Sequence, residues 1–427
     1  MVKMSGKIGV IGALGLMLSL VLAACGGEEP TATPRPAATP TPTAMMAAEP
    51  TPTAMMTEEA TPTPLPEGVT AAPATPTPTV RPTATPLPVD PGFDAEGYFS
   101  GKTISMMVGF NPGGGTDAQA RFMSRAWPKF IPGNPRIVVR NLTPVVVERN
   151  FVWNSKPDGL TLALEATPGV ADMFTPQAQF DMREATMIGV TSGGEGAWFI
   201  RGTLPYDCID EAFGATDPVL TVGWGVPTPA DLSANVSIGW LADKFNVPLE
   251  IRNVSAAGSA EQYVMIERGD VNCWVSGTLW DQFPVTRPGW IASGFLRPFA
   301  DLSVPGFDIG NNGEGDFHCP NFHDTYIEDQ ADRELWVAMR PRATIAKNIW
   351  GPPNMQAEVT QTLRDALADA MADEEFASSM QRFTGIKNLF TDGATSQQIV
   401  TDMVNGFEAN RDRIDELLEI VHAKYVR

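Results

Sequence analysis

Basic residues are scarce in this chain. Thirty Lys and Arg stand against 50 Asp and Glu, a formal net charge of −20 over 427 residues. That deficit excludes a nucleic-acid binder, which needs a basic patch to neutralise phosphates. Histidine is scarcer still, with three copies. No G-x-S-x-G, H-E-x-x-H or Ser/Lys arrangement occurs, so nothing points to a catalytic dyad or a hydrolytic metal centre. Cysteine is limited to four residues. The apolar run of residues 8–22 falls short of the roughly 20 residues that span a bilayer. What is present is unevenly spread. Apolar residues at 43% and aromatics at 8% suffice for a large core. Yet nearly half of the 38 prolines fall between Pro30 and Pro91. The length allows two or three domains, and the composition divides the chain into a proline-rich tail and a globular body.

The first residues read as an address. Lys3 and Lys7 form a positive start, and residues 8–22 form the apolar stretch of a signal peptide. Leu22-Ala23-Ala24-Cys25 followed by Gly26-Gly27 resembles a bacterial lipobox, in which cleavage precedes a lipidated cysteine. The expectation is a signal peptide over 1–24 and a mature chain starting at Cys25. Acyl chains would then hold it to the outer face of the cytoplasmic membrane. Residues 25–92 read as a disordered Pro/Thr-rich linker, in which Pro40-Thr-Pro-Thr-Ala-Met-Met46 recurs as Pro50-Thr-Pro-Thr-Ala-Met-Met56. Such a composition buries too little apolar surface to offset ordering entropy. In polyproline II form it would reach on the order of 200 Å at full extension.

From about Phe93 the pattern alternates strand and helix. Residues 103–110, 136–140 and 161–165 read as strands, with helices over 117–130 and 145–155. The alternation resumes with strands over 220–223, 249–252 and 271–275 and helices over 230–245 and 260–268. This implies parallel βαβ units with both sheet faces covered, in two α/β blocks. Residues 356–371 and 396–421 carry apolar positions at helical spacing.

The most informative segment is Asn111-Pro-Gly-Gly-Gly-Thr-Asp117, between a strand and a helix. Glycines let backbone N–H groups approach a ligand without Cβ obstruction. The first helical turn adds unpaired donors and a positive dipole end. Together these form an anion site without lysine or arginine. Asp117 either N-caps the helix or binds a ligand amine or hydroxyl. The same residues fit G-x-G-x-x-A, a dinucleotide fingerprint, with Arg136 and Arg140 downstream. However, no acidic residue ends the second strand, and an exported lipoprotein does not ordinarily meet NADP. A P-loop is excluded because no Lys-Ser/Thr pair follows the glycines. No cofactor is implied.

Phe110-Asn-Pro-Gly-Gly-Gly-Thr-Asp117 with Ala120-Arg121 resembles the opening motif of Bug-type receptors, the solute-binding proteins of tripartite tricarboxylate transporters. Lys156-Pro-Asp-Gly159-Leu-Thr161-Leu, then Gly258 with Glu267-Arg-Gly-Asp270-Val271, then Trp350-Gly-Pro-Pro353 resemble later motifs in the same order. The resemblance covers residues 93–427. It implies a type II periplasmic-binding-protein fold, with lobe 1 from 93–200 plus 325–427 and lobe 2 from 201–324. A small organic carboxylate would bind between the lobes. The implied contacts are Gly113, Gly114, Gly115, Thr116 and Asp117, then Thr167, Pro168 and Gly169, in the first lobe. In the second they are Ser255, Gly258, Ser259, Ser276 and Thr278, with Thr228 a weaker candidate. For each second-lobe residue, simple helix capping is the alternative. The segment Arg140-Asn141-Leu-Thr-Pro-Val-Val-Val147 departs from the family, which carries glycines there. At Trp224, packing is preferred to ligand stacking. Residues 306–330 read as an insertion.

An exported compartment permits disulfides. Cys208 and Cys319 fall near the two implied lobe crossings and are the expected pair, with Cys273 buried in a strand. His318-Cys319-Pro-Asn-Phe-His323, with Asp316 and Asp324, offers metal-ligand chemistry but lacks a second spaced pair, so no metal is expected. The resulting expectation is a lipid-anchored, monomeric, non-enzymatic receptor that passes its ligand to membrane transporter subunits. The alternatives are a sensor signalling to a membrane kinase, or an exported enzyme on the same scaffold.

Overall fold

The computed structural model describes residues 92–224, 236–253, 259–276, 280–340 and 345–427. The signal segment, Cys25 and nearly all of the linker lie outside them. Eleven strands form two mixed sheets. They are β1 (Thr103–Val108), β2 (Arg136–Asn141), β3 (Thr161–Glu165), β4 (Thr186–Ser192), β5 (Ala197–Arg201), β6 (Leu220–Trp224), β7 (Leu249–Asn253), β8 (Cys273–Ser276), β9 (Leu296–Asp301), β10 (Lys347–Gly351) and β11 (Thr391–Asp392). The first sheet runs β11-β4-β10-β3-β1-β2, the second β7-β6-β8-β5-β9.

Each sheet is built around a parallel triplet joined by helices. β2-β1-β3 is one and β7-β6-β8 the other. The remaining strands are antiparallel, which local alternation does not reveal. Successive residues on a strand point to opposite faces, and both faces are covered. On β1, Ile104, Met106 and Val108 enter one apolar cluster while Met107 enters another. The first cluster includes Ala120 and Met123 of helix Gly115–Ala126, Val359 and Leu363 of Ala357–Ala372, and Phe376 and Met380 of Glu374–Thr384. On β5, Trp198 and Ile200 face one cluster and Ala197 and Phe199 another.

The chain crosses between the sheets over residues 193–196. There Leu302 donates its N–H to Gly196 O at 2.7 Å and Val304 donates to Gly194 O at 2.9 Å. A Cβ on Gly196 would lie 2.4 Å from Leu302 O, so only glycine fits. β5 therefore already belongs to the second sheet, and the boundary expected at residue 200 falls inside that strand. Beyond residue 325 the chain is still engaged with the second sheet's helices. Trp336 packs on Trp240 of helix Ser237–Phe245 at 5.5 Å, and Lys244 pairs with Asp332. The C-terminal helices divide their packing. Val400, Val404 and Phe407 of Gly393–Ala409 join the core, while Val421 of Arg411–Tyr425 presses against Gly239.

Cys208 and Cys319 form a disulfide with a Cα–Cα distance of 5.6 Å, closing a separation of 111 residues. Cys273 is buried and unbonded, and burial pushes its thiol up. The Cys208 and Cys319 sulfurs and the His318 ring lie within 4.8 Å of one another, but the sulfurs are bonded to each other and offer no thiolates. His318 Nε2 is 3.2 Å from Asp207, and His323 Nδ1 is 2.8 Å from Asp324. Among the described residues no helix is long and apolar enough to cross a membrane.

Two predictions follow from these contacts. Reduction of Cys208–Cys319 releases a long loop in the unfolded chain and should lower stability by about 2–5 kcal/mol. Melting curves with and without reductant would coincide if the bond carries no such weight. Glu195, within the crossing, is 3% exposed and accepts the Trp280 N–H at 2.8 Å. Burial, then the charge of Asp281, pushes its pKa up to about 8. The folded chain therefore holds a proton there that the unfolded chain has lost above about pH 4.3. This contribution is full below that value and is lost as pH rises towards 8. Glu195→Gln keeps the acceptor and should flatten the fall in stability between those limits. An unchanged pH slope would show that Glu195 does not titrate in that window.

Candidate functional site

The C-terminal ends of β1 and β3, and the start of the antiparallel β10, share one edge of the first sheet. Loops at such an edge are the usual binding place in α/β folds. The glycine loop follows β1, and its helix begins at Gly115, with Gly114 at the N-cap position. Gly115 and Thr116 thus occupy the first turn, whose N–H groups have no intrahelical acceptor.

Asp117 is neither of the things expected of it. It lies three positions past the cap, and its carboxylate is filled from within the first lobe. One oxygen accepts from Gly113 N at 3.0 Å and Arg121 Nε at 2.8 Å. The other accepts from Arg121 Nη2 and Asn141 Nδ2, both at 2.9 Å. Burial raises its pKa, but these hydrogen bonds outweigh burial and hold it below the ordinary value. Asp117 therefore shapes the loop, and the Gly113 N–H is consumed in doing so. Asn141 also donates to Phe110 O at 2.9 Å, tying the end of β2 to the loop.

Thr167, Pro168 and Gly169 follow β3 on the same edge. Gly169 donates its N–H to Thr167 Oγ1 at 3.2 Å. Beneath them Arg149 is fully buried on helix Val145–Trp153. It donates to Glu165 Oε2 at 2.8 Å and to Thr167 O at 3.4 Å, and pairs with Asp172. Neighbouring Glu148 is also fully buried. Burial first, and the charge of Glu165 second, raise its pKa well above the ordinary value. This buried network sets the height of the 167–169 loop.

A cation that the sequence reading passed over stands at this edge. Lys347, 3% exposed at the start of β10, donates from Nζ to Thr116 Oγ1 at 3.0 Å. Its carbonyl accepts from Thr191 Oγ1 at 3.3 Å, and Thr191 in turn accepts from Gln119 Nε2 at 2.6 Å. A lysine inside the apolar run Ile345-Ala-Lys347-Asn-Ile-Trp350 was the available signal.

The second sheet meets this edge at two places. Asn111 Nδ2 donates to Glu261 Oε1 at 3.0 Å, and Glu261 lies in the first turn of helix Ser259–Arg268. Gln282 sits against the glycine loop so closely that a Cβ on Gly115 would lie 2.5 Å from its Nε2. Gln282 also donates to Thr384 O at 3.0 Å. Trp280, just before it, is fixed by Glu195 and by donation from its Nε1 to Gly310 O at 3.0 Å. Of the expected second-lobe contacts, Thr228, Ser255, Gly258 and Thr278 lie outside the described residues. Ser259 opens its helix and Ser276 closes β8. Trp224 ends β6.

No protein-family model matches the chain, and no curated protein matches it. Solved structures do. The periplasmic binding protein BugD superposes with a TM-score of 0.55 at 17% identity, covering 76% of this chain and 99% of that one. MatC from Rhodopseudomonas palustris, solved with bound malate, gives 0.53 at 14% identity, covering 74% and 99%. A TctC solute-binding protein from Polaromonas gives 0.52 at 16% identity, covering 73% and 98%. The two mixed sheets, their exchanged strands and the glycine loop at their junction thus form the fold of the TctC and Bug-type periplasmic solute-binding proteins.

Proposed function

We propose that this protein is an extracytoplasmic receptor that captures a small organic carboxylate between its two lobes and presents it to the membrane subunits of a tripartite tricarboxylate-type transporter. The observation that carries the reading is the junction of Gly115, Thr116 and Lys347. It combines unpaired first-turn N–H groups, a positive helix end and a buried ammonium on one sheet edge. The malate in the MatC structure supports the ligand class. Lobe 1 is taken as 93–200 with 325–427 and lobe 2 as 201–324, with the crossing at 193–196 as a hinge. Gly114, Thr167, Pro168, Gly169, Ser255, Gly258, Ser259, Ser276 and Thr278 complete the proposed lining. Cys25 supplies the lipid anchor, and residues 26–92 span from membrane to receptor.

Ligand that binds only the folded state raises the melting temperature by mass action. The full-length chain should therefore melt higher with at least one member of a mono-, di- and tricarboxylate panel. No shift with any member, for protein shown to be folded, would remove the reading. Asp117→Ala should weaken binding of that carboxylate about tenfold, while stability falls by no more than about 2 kcal/mol. Equal affinity for wild type and variant in calorimetric titration would show that the loop keeps its shape without Asp117.

A further inference from the structure

The two sides of the junction carry opposite charge. The first-sheet side presents the helix end at Gly115 and the ammonium of Lys347. The second-sheet side presents the carboxylate of Glu261. A site for a simple carboxylate has no use for a carboxylate in its opposite wall, since like charges held together in a protected space repel.

The hydrogen bonds of Glu261 sharpen the point. Its Oε1 is taken by Asn111, two residues ahead of the glycine run. Its Oε2 is shielded from solvent and has no hydrogen-bond partner. An enclosed carboxylate oxygen without a donor is costly, and native structures seldom leave one so. Nothing in the fold requires a glutamate there. Helix Ser259–Arg268 packs through Tyr263 and Ile266, which join the core of the second sheet. A divalent cation does not fit, because it needs several oxygen ligands, and among the described residues no metal-ligand grouping includes Glu261.

We propose that Glu261 makes this cleft selective for a carboxylate that also carries a protonated amine, an amino acid or amino dicarboxylic acid. The ligand carboxylate takes the first-turn N–H groups and the Lys347 side. Its ammonium donates to Glu261 Oε2. Asn111 holds the other oxygen and so fixes the direction of the free one. A charge-assisted hydrogen bond of this kind is stronger than a neutral one. Sites built around a buried polar group also reject analogues that leave it unpaired. This inference rests on the carboxylate-receptor reading and refines it.

The test uses four-carbon dicarboxylates that differ at one position, titrated into the full-length chain. Succinate has no donor there, malate a hydroxyl and aspartate an ammonium. Glutarate and glutamate repeat the comparison one carbon longer. In at least one series the amino member should bind ten or more times tighter than its deaminated partner, with malate no tighter than aspartate. Glu261→Gln keeps the acceptor for Asn111 and removes the charge, so it should reduce that advantage to within about twofold. Glu261→Asp should retain part of it. Equal affinity across a series that binds, or an advantage that survives in Glu261→Gln, overturns the inference while leaving the carboxylate receptor standing. Should Glu261→Gln fail to fold, the wild-type comparison alone decides. If no dicarboxylate or amino acid binds, the carboxylate reading and this refinement fall together.

Discussion

The passage of the chain through residues 193–196 is the constraint on which the rest of the molecule depends. Two sheets must share strands that arrive from opposite directions, and the space where they pass admits only backbone. Gly194 and Gly196 meet the 302–304 segment there through main-chain hydrogen bonds. The arrangement lets β5 enter the second sheet directly after β4 leaves the first, and lets β10 return between β3 and β4. Because β10 lies antiparallel to β3, its first residue falls at the edge where the parallel strands end. Lys347 reaches the glycine loop for that topological reason.

An anion site in so acidic a chain looks contradictory on net charge alone. Surface charges beyond about 8 Å are largely screened at physiological salt. The field felt by a bound anion is set by the nearest dipoles and ions, in surroundings with few competing waters. A helix end and one buried ammonium therefore outweigh the distant excess of carboxylates. The same reasoning makes a single nearby glutamate matter more than all of the exposed ones.

The parallel triplets and the glycine loop were legible in the sequence because both are local. A strand, a run of glycines and a helix stand next to one another in the text, and periodicity of two or three to four is visible in short windows. The antiparallel strands β4, β5, β9 and β10 were not read. Thr186-Met-Ile-Gly-Val-Thr-Ser192 has no clean alternation, since both its faces are buried. Asp117 was misplaced because Gly115 opens the helix, and glycine gives no signal of a helix start. The contact of Lys347 with Thr116 spans 231 residues, and that of Asn111 with Glu261 spans 150. No local pattern encodes either, and only the exchange of strands between sheets brings those residues together.

The Cys208–Cys319 bond has a consequence outside thermodynamics. It fastens the two ends of the stretch that holds β6, β7, β8 and β9. A protease that cuts once anywhere within that stretch leaves a single covalent molecule, and the fragments part only on reduction. For a chain exposed outside the cytoplasm, where thiols stay oxidised, surface nicks in that stretch would be tolerated as breaks in the backbone without loss of the piece that carries the opposite wall of the cleft.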